Sequence, residues 1–187
     1  MKSLFVAAVL LLSFSAGAQA PGSTRAQQLA AMEKIAWMAG IWEGASTIDR
    51  GAQSNAENFS WERVRRAAGG TALLIEGRHH RRLADGSRGD IVHDAAALIT
   101  FDPAAGRYHF VSQLADGSYG NHEAQIDGEA FVWRVQSPRG VARFRITLEQ
   151  SRWTERGEFC PTAEKGDPPP CRPFFSMSLG RVGDAHD

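Results

Sequence analysis

Five of the six histidines fall between His79 and His122, and three of them, His93, His109 and His122, lie on segments that read as successive β-strands. Imidazoles on neighbouring strands are a donor set for a metal or haem iron if the strand register brings them together. Otherwise they are ordinary exposed or hydrogen-bonded histidines, and spacing alone does not decide. His93-Asp94 and His122-Glu123 each set a base beside a carboxylate. Consecutive strand residues point to opposite faces, so neither pair forms a dyad without a bulge. His79-His80, flanked by Arg78, Arg81 and Arg82, reads as a solvated basic edge. Those arginines, with Arg63, Arg65 and Arg66 on the preceding strand, are either an anion site or a solvated face. G-x-S-x-G, H-E-x-x-H and P-loop patterns are missing. Catalytic residues are therefore unknown, and neither a metal site nor a cofactor is expected. An enzyme would have to use a residue such as His93 or Glu123 inside a fold-made cavity.

What must position these groups is nearly all β-structure. Residues 24–38 read as a helix, with capping-box spacing at Thr24 and Gln27, an apolar face of Leu29, Met32 and Ala36, and Gly40 as its stop. Ten candidate strands follow: Ile41–Ile48, Glu57–Arg66, Ala72–Arg82, Val92–Phe101, Arg107–Leu114, Tyr119–Ile126, Ala130–Gln136, Ala142–Glu149, Arg152–Phe159 and Phe174–Arg181. Links such as Asp85-Gly86, Asp116-Gly117 and Asp127-Gly128 are hairpin chemistry. Strands in sequence without crossover helices imply an antiparallel meander, and closing it into a barrel removes its edges. The expected fold is a single all-β meander barrel of about ten strands, residues 40–182, behind a short N-terminal helix in residues 19–39. Phe131, Trp133 and Val135 alternate with Val132, Arg134 and Gln136, and Phe144, Ile146 and Leu148 with Arg143, Arg145 and Thr147. The pattern leaves open whether these apolar sets face a lumen or a flanking layer.

Gly40-Ile41-Trp42-Glu43-Gly44, after the helix and opening the first strand, resembles the G-x-W signature of lipocalin-like (calycin) barrels. It is more similar still to the W-x-G variant of nitrobindin-type domains and of exported bacterial calycins of unknown function. The resemblance implies that Trp42 seals one barrel end with Arg181 of the last strand packed over its ring, a cation–π contact of order 1–2 kcal/mol. It also implies a small apolar or amphipathic ligand in the barrel, with Trp61, His93, His109, His122 and Trp133 as candidate binding residues. Phe59, Phe110 and Trp153 are further wall candidates, although aromatic residues at strand spacing also serve as core. In nitrobindin-type domains the haem-binding histidine precedes the terminal Leu-x-Arg of the last strand. Here that position falls at or beside Phe174, and residues 172–181 contain no histidine. Haem in the nitrobindin manner is therefore not expected. The functional expectation is a non-enzymatic binder, against the alternatives of a lipocalin-fold enzyme and a structural domain with a filled barrel.

The address follows from the start of the chain. Lys2, the apolar run Leu4–Leu12 and small residues through Ala18 have the layout of a signal peptide, residues 1–18, with the mature chain beginning at Gln19. The apolar run is too short to span a bilayer, and no stable membrane anchor is expected. Periplasmic or secreted location agrees with Cys160 and Cys171, the only cysteines, which are expected to close a disulfide loop worth about 2.5–3 kcal/mol. Twenty-one basic and 21 acidic side chains cancel, so the chain lacks the charge excess of a nucleic-acid binder.

Overall fold

The computed structural model describes residues 21–49, 56–163 and 169–185. The expected signal segment and His186 lie outside those residues. Helix α1 spans Pro21–Glu33 and is followed by a separate 3-10 turn at Ala36–Met38. The single helix expected over 24–38 is thus two pieces, and Thr24 lies within the first rather than capping it. At the break the backbone bonds tighten to i−3 spacing, with Lys34 N–H donating to the Ala31 carbonyl and Ile35 N–H to that of Met32, and Ala31, Met32, Ile35 and Met38 are all buried.

Ten strands follow: β1 Gly40–Ile48, β2 Ala56–Ala67, β3 Ala72–Arg82, β4 Arg88–Asp102, β5 Arg107–Leu114, β6 Tyr119–Asp127, β7 Ala130–Ser137, β8 Gly140–Glu149, β9 Arg152–Pro161 and β10 Arg172–Gly183. Each pairs antiparallel with its sequence neighbours, and β1 pairs with β10, which closes the barrel. Every ladder is satisfied within the sheet, so the strands leave no free edge.

Register decides which side chains enter the lumen. Trp42 pairs with Glu62 on β2 and Arg181 on β10. His79 pairs with Ser60 and His93, Phe110 with Ile99 and His122, and Trp133 with Ala124 and Phe144. Residues paired across a ladder share a face, so all of these point inward. The apolar sets of β7 and β8 accordingly face the lumen.

The two barrel ends differ. At one, α1 and the 3-10 turn form a plug: Tyr108 donates its hydroxyl to the Ala31 carbonyl at 2.7 Å, and Trp42 donates Nε1–H to the Met38 carbonyl at 2.8 Å. The Arg181 guanidinium lies 4.4 Å over the Trp42 ring and donates to the carbonyls of Ala39 and Trp37, which ties the last strand to the plug. At the other end run the β3–β4, β5–β6, β7–β8 and β9–β10 connections. The Cys160–Cys171 disulfide closes the last of these.

Candidate functional site

A cavity of about 260 Å³ lies inside the barrel between the plug and the opposite end. It has two unlike sides. Strands β5, β7 and β8 supply an aromatic wall, in which Trp133 stacks between Phe110 (4.5 Å between ring centroids) and Phe144 (4.1 Å). Gly157 makes room for that wall, because a Cβ there would meet the Phe144 ring at 3.0 Å. Strands β2, β3, β4 and β9 supply the polar side: Glu62, His79, His93 and Glu155.

These polar groups are packed deeply. Glu62 and Glu155 are each 8% exposed, and His79 is 5% exposed. Glu62 Oε1 and His79 Nε2 are 3.1 Å apart. Gly77, opposite Glu62 in the ladder, leaves space for the carboxyl group, since a Cβ on it would come within 2.8 Å of both oxygens. Burial pushes Glu62 up to about 8. Burial, reinforced by Glu62, does the same to Glu155, although the indole N–H groups of Trp133 and Trp153 oppose the shift. Trp133 Nε1 lies 3.3 Å from Glu155 Oε1, whereas Trp153 Nε1 is buried with no hydrogen bond of ordinary geometry. Burial and the neighbouring His80 push His79 down to about 4. Burial and His79 likewise lower His93, whose ring lies 4.9 Å from that of His79.

At neutral pH the lumen therefore holds two protonated carboxyls and two neutral imidazoles. Glu62 Oε1 and His79 Nε2 share one hydrogen bond whose direction follows the His79 tautomer, and the second ring nitrogen of His79 is buried without a partner. An orphaned polar atom in a cavity wall is a place where a guest can gain a hydrogen bond that the fold leaves unmade.

The expected binding residues divide. His93 and Trp133 line the cavity. His122 points inward beside it, 5.4 Å from the Trp133 ring, with Nε2 3.5 Å from Ser112 Oγ. His109 is turned outward toward Asn121 and is not brought to the other two. Trp61 also faces outward, because the inward set of β2 is Asn58, Ser60, Glu62 and Val64. Phe59 shares that outer face, stacked under Arg82 at 4.1 Å. Glu123 pairs with Arg107 on the outer surface, so it is not a lumenal acid. Of the six clustered arginines, Arg63, Arg66, Arg78 and Arg82 are ion-paired with Glu76, Glu33, Asp94 and Glu57, as in a solvated face. His79, read from sequence as part of that basic edge, belongs instead to the lumen. Glu62 and Glu155 were not foreseen.

The fit to haem in the nitrobindin manner is poor. Phe174 and Phe175 occupy the last-strand segment at the cavity wall, and neither offers an axial lone pair. Among the described residues, the only cluster with metal-ligand spacing is Glu158 with Cys160 and Cys171, whose sulfurs are joined to each other.

No protein-family model matches the chain, and comparison with curated proteins finds no match. Among solved structures it is similar to the S-type phycobiliprotein lyase CPES from Guillardia theta. That match has a TM-score of 0.54 and 11% identity, covering 86% of this chain and 98% of the other. The fold is lipocalin-like. At that identity the likeness concerns the fold rather than the chemistry of any residue, and the lumenal set of this lipocalin-like barrel has to be read from its own geometry.

Proposed function

We propose that this chain is an exported lipocalin-like protein that binds a small, mostly apolar molecule with one polar end in the barrel lumen. The observation that carries this reading is the two-sided cavity, aromatic on β5, β7 and β8 and hydrogen-bonding on β2, β3, β4 and β9. Apolar walls with a few convergent polar groups are the ordinary make-up of a small-molecule site. Its volume, about 260 Å³, exceeds the ~150 Å³ that accommodates benzene in an apolar cavity. A guest of one or two rings, or a chain of similar bulk, matches it. The solved structure it is similar to, a phycobiliprotein lyase, shares the fold that this reading uses.

Native mass spectrometry of protein purified from its own host tests this directly. The expected result is a retained adduct on the order of 100–250 Da, absent after denaturation, on a chain whose N-terminus is Gln19. A protein that carries no adduct and takes up no aromatic probe, with a cavity that Ala97→Phe fills at no cost to stability, would instead be a packed structural domain. The Glu62–His79 hydrogen bond favours one second reading, because an imidazole held by a carboxyl is the pairing that general acid–base chemistry uses. Chemical conversion of the bound molecule, lost in His79→Gln with binding retained, would make the protein an enzyme.

A further inference from the structure

Among the described residues, every ionisable group in the cavity wall is an acid or a histidine: Glu62 on β2, His79 on β3, His93 on β4 and Glu155 on β9. Strands β1, β5, β7, β8 and β10 contribute apolar residues and one serine, Ser112. Among the described residues, no arginine or lysine reaches the lining. His122 on β6 stands beside the cavity, and Asp94 and Asp116 act on His93 from outside it.

We infer that the lumen selects a small amphiphile whose polar end is an amine, held between Glu62 and Glu155 with its apolar part against Trp133. This rests on the ligand-binding reading above and names the class of ligand. A bound carboxylate or phosphate would be an anion buried beside two carboxyls, with no arginine or lysine among the described lining residues to offset it, a costly arrangement. An ammonium group meets the opposite conditions. It brings donors to a lumen whose carboxyl oxygens accept them. The unpartnered nitrogen of His79, 6% exposed as a side chain, accepts one more in the tautomer whose Nε2–H donates to Glu62.

The proton balance of this step is definite. A simple alkylamine is protonated in neutral water, as the lysine side chain is. The lumenal carboxyls are neutral there, so forming one ammonium–carboxylate pair sends one proton from Glu62 or Glu155 to solvent. Burial holds each carboxyl only about one pH unit above neutrality, so that ionisation weakens binding about tenfold at pH 7.

Isothermal titration at pH 7 with 4-phenylbutylamine, 4-phenylbutanol and 4-phenylbutyrate, one skeleton with three polar ends, tests the inference. The amine should bind at least tenfold tighter than the butyrate. Heats in buffers of different ionisation enthalpy should report close to one proton released per amine bound. Glu155→Gln and Glu62→Gln should each weaken the amine at least tenfold and leave the alcohol nearly unchanged; the alcohol also shows that each variant has kept its cavity. Binding of the alcohol or the butyrate as tightly as the amine would overturn the amine inference while leaving the binding reading intact. So would amine binding without proton release. Failure of all three probes on folded protein would overturn both.

Discussion

The two buried carboxyls should make this protein lose stability as the pH rises from 6.5 to 8, contrary to the behaviour of salt-bridged acids. Glu62 and Glu155 sit near 8 in the folded chain against an ordinary 4.5. A raised acid contributes its full stabilisation below the unfolded value and loses it as the pH climbs through the folded one. The loss is about 1.4 kcal/mol per pH unit for each carboxyl. His79, pushed down to about 4 from 6.5, acts with the opposite sign, and its contribution is present above 6.5 and disappears as the pH falls through 4. His93 is lowered in the same direction. Between 4.5 and 6.5 the acid and histidine slopes oppose each other, and between 6.5 and 8 only the acid slope remains. Two carboxyls over about 1.5 units give a fall of about 4 kcal/mol. At this chain length that lowers Tm by on the order of 10 °C. Calorimetric melts of the wild type and of Glu155→Gln at pH 6.5, 7.25 and 8 measure it, and the variant should show no more than half the wild-type fall. A wild-type Tm that is flat or rising across this window would refute the burial argument. So would a Glu155→Gln variant that keeps the full slope.

Arg181→Ala removes the cation–π contact and two hydrogen bonds to the plug, and should cost about 2–3 kcal/mol, seen as a lower urea midpoint with a red-shifted Trp42 emission. Gly77→Ala puts a methyl group against the Glu62 carboxyl in a packed interior, and should cost about 1–3 kcal/mol; a Tm equal to the wild type would show that the carboxyl moves freely. Cys160→Ser with Cys171→Ser should cost about 2–3 kcal/mol in thermal melts, and intact wild type from an oxidising compartment should offer no thiol to alkylation after denaturation.

Strand order and number were legible because turn chemistry punctuates the chain. Asp85-Gly86, Asp116-Gly117 and Asp127-Gly128 each stand between two alternating runs, and every strand was located to within four residues of its observed ends. The contact of Trp42 with Arg181 was legible only through family resemblance, since 139 positions separate the two in sequence. The polar side of the lumen was hidden for a specific reason. On β2 the aromatic residues Phe59 and Trp61 lie outside while Asn58, Ser60 and Glu62 lie inside, which inverts the usual rule. His79 was masked by the arginines around it, although Gly77 and Ile75, at i−2 and i−4, are inward and apolar. Those neighbours were the available signal: a period of two, counted forward from Leu73, puts His79 inside. Glu155, two positions after the buried Trp153, carries the same mark.

The β1–β10 ladder also governs the order of events in folding. Trp42 and the residues it seals lie near the start of the chain, and their partner strand is the last one made. A hairpin meander can form locally as it emerges, but the ring closes only through its most distant contact, the slowest kind to find. Until then there is no enclosed cavity, and Glu62 and Glu155 remain open to water and ionised at neutral pH. On the proposed reading, an enclosed guest can be held only once the ring has closed. A chain that crosses a membrane before it closes would be loaded on the far side, from whatever that compartment contains.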